Sequence, residues 1–104
     1  MNFIAEKIEL DSAEAIKNLS FDLKSKTENL FLVLGATVNG KPSLTVMISD
    51  NLAKEKNLHA GNIVKELAKE INGGGGGQPF YATAGGTNAD GLSKAIEAAR
   101  KFLS

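Results

Sequence analysis

The period of the hydrophobic positions changes several times along the chain, and each change marks an element. From Asn2 to Leu10, Phe3, Ala5, Lys7 and Glu9 alternate with Ile4, Glu6, Ile8 and Leu10, a two-residue period that predicts a strand. Asp11-Ser12-Ala13-Glu14 then reads as a helix start. Asp11 or Ser12 caps the free backbone N–H groups, and Glu14 sits where the helix dipole favours an acid. Ile16, Leu19 and Leu23 recur at helical steps and predict one buried stripe on a helix over 12–25. The unbroken apolar run Leu30-Phe31-Leu32-Val33-Leu34 suits a strand covered on both faces. Val38-Asn39-Gly40-Lys41-Pro42 supplies a turn, with Asn39-Gly40 as the pair that accepts positive φ. Leu44, Val46 and Ile48 alternate with Thr45, Met47 and Ser49 in the returning strand, which completes an antiparallel hairpin.

Beyond the hairpin the helical period returns. Asp50 and Asn51 are expected to cap a short turn through Lys56, and a second helix begins near Ala60-Gly61. Ile63, Val64, Leu67, Ala68 and Ile71 form its apolar face, and Asn72-Gly73 stop it because both accept the left-handed conformation. Phe80 to Ala84 is the last strand candidate. A capping-box pattern, Thr87-x-x-Asp90, opens a final helix to about Phe102. Leu92, Ile96, Ala99 and Leu103 make its buried stripe, while Lys94, Glu97 and Lys101 face water. The predicted architecture is a single α/β domain, a mixed β-sheet with packed helices in the order β-α-β-β-α-β-α. No internal repeat or interior linker interrupts it. The last stripe finishes at Leu103, and Met1 leads directly into strand residues without an upstream cap, as expected of a piece cut at a domain boundary.

Composition narrows the function classes. A chain of 104 residues with 42% apolar content supports one core and one domain. It holds no cysteine, which removes disulfides, thiolate metal sites and thiol nucleophiles. No apolar run approaches the roughly 20 residues of a membrane span, and no signal-peptide core follows Phe3-Ile4, so the expectation is a cytoplasmic protein. Twelve basic residues balance 12 acidic ones, with Arg100 the single arginine. A chain that held nucleic acid by bulk phosphate attraction would be basic. Nucleic-acid binding here requires a local patch, shape, or help from attached domains.

The candidate chemistry lies in Gly73-Gly74-Gly75-Gly76-Gly77-Gln78-Pro79 and in Ala84-Gly85-Gly86. Consecutive glycines are costly to order. A linker, an extended helix stop, or a backbone surface kept bare for a phosphate or ribose would each account for them. No Gly-Lys-Ser/Thr is present for a P-loop, and the order helix, glycines, strand is the reverse of a dinucleotide fingerprint. Gly85-Gly86-Thr87 leads into the last helix. These residues either hold an anion on free N–H groups or allow close packing against a neighbour. If the two glycine segments converge, they form one polar concavity. Lys65 and Lys69, together with Lys94, Arg100 and Lys101, are either plain solvated residues paired with Glu66, Glu70 and Glu97 or a basic rim around that concavity. Of Phe80 and Tyr81, one packs inward and the other is exposed; an exposed Tyr81 would stack on an unpaired base. His59 has no metal or triad partners in the sequence, and no catalytic pattern stands out.

Taken together, the glycine run, Pro79, the short strand Phe80-Tyr81-Ala82-Thr83 and Ala84-Gly85-Gly86-Thr87-Asn88 resemble the C-terminal end of alanyl-tRNA synthetases. Ala60-Gly61-Asn62-Ile63-Val64-Lys65-Glu66-Leu67-Ala68 is similar to a helix of that family, and Leu44 to Ser49 sits where the family has a strand. The resemblance runs from about Phe3 to the end of the chain, within a wider superfamily of domains associated with DHH phosphoesterases. It implies a non-catalytic, C-terminal tRNA-binding module over 1–104 that contacts the tRNA elbow and helps couple aminoacylation with editing. The glycine segments, Gln78 and the five cations named above would be its RNA-binding residues. The implied parent is an ATP-dependent ligase attaching alanine to tRNA, with ATP, Mg and Zn held by upstream catalytic and editing domains and none here. The same resemblance implies a homodimer through an upstream helix. Gln78 departs from the basic residue usual in the synthetases and from the histidine of the phosphoesterases. A phosphoesterase substrate domain and a structural or dimerising domain are the alternatives. Replacing Gly75 and Gly76 with Ala is expected to weaken RNA binding and leave the fold intact.

Overall fold

The computed structural model describes residues 2–9 and 12–103; the expectations placed on Leu10, on Asp11 and on the side chain of Leu103 lie outside the described residues. β1 (Asn2–Lys7) runs parallel to β2 (Leu30–Val38), with α1 (Ala13–Lys26) between them in the chain. β2 turns back antiparallel into β3 (Lys41–Ile48) through Asn39 and Gly40, whose φ values of 53° and 77° are those the tight turn demands. Next come α2 (Asp50–Glu55), α3 (Ala60–Ala68), a 3₁₀ turn at Lys69–Ile71, β4 (Gly74–Gly77) and β5 (Tyr81–Gly85). A 3₁₀ turn at Ala89–Gly91, α4 (Leu92–Ala98) and a 3₁₀ stretch at Ala99–Leu103 complete the chain. The sheet order is β1-β2-β3-β5-β4, with every pair after the first antiparallel. The mixed α/β sheet and the order of elements match the pattern of the sequence, except that the short turn expected after β3 is the helix α2 and that β4, a strand composed of glycine alone, is added.

β2 is the centre of the molecule, and its apolar run is explained by burial on both sides. Phe31 and Val33, with Leu44 and Val46 of β3, face Ile63 and Leu67 of α3 and Leu92 of α4. Leu30, Leu32, Leu34 and Met47 face the other way, under Ile16, Leu19 and Leu23 of α1. Each such side chain contributes about 1.5–3 kcal/mol by leaving water. The two faces are not equally covered. α3 lies over β3, β5 and β4, and α4 over β1, β2 and β3, whereas α1 packs chiefly on β2 and β3 and touches β5 through Phe21 and Tyr81. On the α1 side of β5, Thr83 and Gly85 are exposed along a groove bordered by α1. Among the described residues, no helix is long and apolar enough to cross a membrane.

Helix ends follow local chemistry, with two departures from the sequence reading. Ser12 caps α1, its Oγ accepting from the Ala15 N–H at 3.3 Å. The cap position of α2 is Ser49, not Asp50 or Asn51, which lie in the first turn. Ser49 Oγ is engaged elsewhere, accepting the buried Leu30 N–H at 2.8 Å. The Thr87-x-x-Asp90 box does not form. The N–H groups of Thr87 and Asn88 both donate to the Ile71 carbonyl at 2.9 Å, and a 3₁₀ turn precedes α4. A tertiary acceptor here outcompetes the local cap.

Candidate nucleic-acid interface

The glycine run is neither a linker nor a loop. Asn72, at φ 51°, ends the 3₁₀ turn after α3, and the Gly73 N–H donates to the Ala68 carbonyl at 2.9 Å. Gly74 to Gly77 then pair antiparallel with Gly85 to Ala82. Successive glycines serve opposite purposes. A Cβ on Gly75 would lie 2.2 Å from the Thr83 carbonyl oxygen, and one on Gly73 would lie 2.1 Å from that of Gly85. Gly77, at φ 158°, is equally confined against Tyr81 and Ala82. A Cβ on Gly74 would meet nothing within 4 Å, and at Gly76 the nearest atom to one is Lys65 Cε at 3.3 Å. Three glycines thus let β4 lie close on β5, while Gly74 and Gly76 leave the outer surface of the edge bare.

The end of the glycine strand is tied to α3. The Gly61 N–H donates to the Gln78 carbonyl at 3.2 Å and the Ala60 N–H to that of Pro79 at 2.8 Å. His59 Nδ1 accepts from the Asn62 N–H at 3.2 Å, so the single histidine caps the helix. A side chain on Gly61 would meet the Gly77 carbonyl oxygen at 2.8 Å, which explains the small residue at the helix start. The Gln78 N–H donates to the Tyr81 carbonyl at 2.8 Å, and its side chain is exposed.

The two glycine segments do converge, since Gly74 and Gly85 are register partners, but as neighbouring strands. Gly86 does not supply a free anion cradle. Its N–H donates to the Pro42 carbonyl at 3.1 Å, and a Cβ there would sit 2.2 Å from the Ile71 oxygen. Close packing is the reason for that glycine. A shallow open groove of about 440 Å³ runs beside it, lined by Lys41, Asn72, Gly85 and Thr87 among others.

The five predicted cations divide between two parts of the chain. Lys65 and Lys69 are exposed near the glycine strand, on and just after α3, and Lys69 pairs with Glu66 at 3.2 Å. Lys94, on α4, and Arg100 and Lys101, in the 3₁₀ stretch that follows, belong to the part of the chain packed over the opposite half of the sheet. Lys65 stands beside the bare edge, its Cε close to the open side of Gly76.

The chain and its fold have counterparts among known proteins. The family model of the DHHA1 domain matches residues 1–104. The chain belongs to the DHHA1 domain family. This DHHA1 domain is 50% identical over 103 residues to an alanine–tRNA ligase of Cytophaga hutchinsonii, covering 99% of this chain and 12% of that protein. It is 63% identical over 86 residues to one of Bacteroides thetaiotaomicron, covering 82% of this chain and 10% of that protein. The chain thus spans about a tenth of the length of these curated relatives. Its fold is that of the C-Ala domain from Aquifex aeolicus alanyl-tRNA synthetase, with a TM-score of 0.86 at 22% identity over 98% of this chain and 90% of that one.

One cluster on the DHHA1 domain was not legible as a unit in the sequence. Phe21 of α1 lies against Tyr81 with ring centroids 5.3 Å apart, and Lys24 Nζ sits 5.1 Å from the centre of the Phe80 ring. Phe80 is the exposed member of the Phe80-Tyr81 pair and Tyr81 is half-buried. Burial pushes the Tyr81 phenol above its usual pKa. The available signal was Phe21 itself, an aromatic residue off the Ile16-Leu19-Leu23 stripe.

Proposed function

We propose that this DHHA1 domain is the tRNA-binding module of an alanine–tRNA ligase, contacting the tRNA elbow and helping couple aminoacylation with editing in the longer parent. The observation that carries this reading is the 50% identity to an alanine–tRNA ligase across 99% of the chain. The glycine edge beside Lys65 supports it, because a phosphate or ribose can approach Gly74 without meeting a side chain and finds the Lys65 side chain at Gly76. Gln78 adds a neutral amide donor at the end of that edge, weaker than a charge-assisted contact. Relatives of this similarity favour the synthetase reading over a phosphoesterase substrate domain. The cytoplasm, a homodimer through an upstream helix, and ATP, Mg and Zn on other parts of the parent belong to the same proposal. Among the described residues no group of three His, Cys, Asp or Glu side chains is placed to hold a metal.

The test is a fluorescence-anisotropy titration of the chain against an alanine tRNA transcript and a DNA duplex at low salt. Binding of the tRNA in the range of about 1–100 μM, tighter than of the duplex and with a shallow salt slope, is the expected result. Lys65→Ala should lower that slope by about 1, the signature of one lost phosphate contact. No preference for tRNA at low salt would remove the proposal. Gly76→Ala is the suitable edge variant, since only the mobile end of Lys65 must move. The Gly75→Ala change expected from the sequence to spare the fold does not, because Gly75 faces the β5 backbone.

A further inference from the structure

Phe21 and Phe80, at 41% and 38% exposure, are the exposed large hydrophobic residues among the described ones, and one small cluster links them: Phe21 rests on Tyr81, and Lys24, one turn after Phe21 on α1, lies over Phe80. We propose that they form a stacking surface for unpaired RNA bases, a second contact that rests on the tRNA-binding reading and lies apart from the glycine edge. Three observations lead to it. The first is position: Phe21 of α1 rests on Tyr81, the first residue of β5, and both rings stay partly open to solvent. The second is size. Two-fifths of two phenylalanine side chains is on the order of 160 Å², using about 200 Å² for each. A stable protein interface needs about 800 Å² per partner, whereas one or two flat bases need no more than the rings offer.

The third observation is the chemistry around the rings. Lys24, only 28% exposed, is held over the Phe80 ring and within 3.5 Å of the Asp50 carboxylate. Lys54 borders the open groove beside Phe80, and Lys17 borders the groove that holds Tyr81 and Thr83. Glu14 and Asp50 line the same grooves, so the surface carries little net charge and draws its energy from stacking more than from phosphate. Thr83, an exposed residue, lines the Tyr81 groove, where its hydroxyl would offer a base edge a donor and acceptor. Gly77, Gln78 and Pro79 are all that separate Gly76 from Phe80 in the chain, so a strand of RNA can meet the glycine edge and then the rings.

Phe21→Ala, Phe80→Ala and Phe80→Leu, each checked for folding by circular dichroism, are titrated with the tRNA transcript, a single-stranded RNA dodecamer and the same dodecamer as a duplex. Each alanine variant should lose roughly five-fold or more in affinity for the tRNA and for the single strand, as expected for one stacked base. Their salt slopes should stay at the wild-type value, unlike that of Lys65→Ala. Phe80→Leu should behave as Phe80→Ala, because it keeps the apolar surface and removes the ring. Tyr81 is the only tyrosine in a chain without tryptophan, so its emission should change when the single strand binds and not with the duplex. RNA binding by the wild type with unchanged affinity in folded alanine variants overturns this inference and leaves the tRNA-binding reading standing. A shift from dimer to monomer in sedimentation of those variants, with RNA affinity intact, also overturns it in favour of self-association. No binding of any RNA by the wild type removes both.

Discussion

Replacing Gly75 and Gly74 in turn with alanine separates the two roles that a uniform glycine run conceals. A Cβ on Gly75 would stand 2.2 Å from the Thr83 oxygen and 2.5 Å from the Ala84 Cα, where ordinary contacts begin near 3.4 Å. Relief requires β4 to retreat from β5 by about 1 Å, beyond the 2.7–3.2 Å that an N–H···O bond accepts. The loss is one or two strand bonds at about 1 kcal/mol each together with overpacking strain of about 1–3 kcal/mol. A destabilisation of about 2–5 kcal/mol follows, a large share of the roughly 5–15 kcal/mol that holds a domain of this size. Gly74→Ala meets nothing within 4 Å. It should instead stabilise by about 0.4–1 kcal/mol through the narrower unfolded ensemble. Urea unfolding followed by far-ultraviolet circular dichroism reads the difference. With a slope of about 2 kcal/mol per molar, the midpoints of the two variants should differ by more than about 1 M. Coincident midpoints would show that β4 does not lie against β5 as described.

Three further outcomes test other parts of the structure. Ser49→Ala strands the buried Leu30 N–H, which now donates to Ser49 Oγ at 2.8 Å, and should cost about 1–3 kcal/mol in thermal or urea unfolding. His59→Ala should cost about 1 kcal/mol by uncapping α3, and His59→Asn should recover most of it, since its side-chain oxygen can accept the Asn62 N–H; equal stability of the two would dismiss the cap. Tyr81 should ionise above the usual value near 10 in an absorbance titration, because burial disfavours the phenolate. With the folded pKa raised, this contribution to stability is complete below pH 10 and is lost as the pH rises through the folded pKa; a normal midpoint would place the ring in water.

Much of the scaffold was written locally. The two-residue alternation around Phe3 and Ile4, the helical steps of Ile16, Leu19 and Leu23, and the apolar run of β2 each report the number of faces an element buries, and the structure repeats them. Asn39-Gly40 and Asn72 specified backbone turns that need positive φ, a property of those residues wherever they fold. The glycine segments were visible as unusual, and with them the family resemblance, but their conformation was not. Glycine has no side chain to declare a face or a period, so nothing in residues 73–77 distinguishes a strand from a loop until β5 lies alongside. The same holds for Gly86 and for Thr87, whose N–H groups go to the Pro42 and Ile71 carbonyls, acceptors that only the closed fold brings near. The separation of Lys65 from Lys94, Arg100 and Lys101 depends on which strands α3 and α4 cover, a choice made by packing between elements. The meeting of Phe21 with Tyr81, and of Lys24 with Phe80, depends likewise on where α1 packs against the sheet. What the sequence by itself determined was the set of elements, because each element's pattern is local. Which of its polar and aromatic residues share a surface was decided by tertiary structure, because that surface is assembled from segments whose contacts no local pattern encodes.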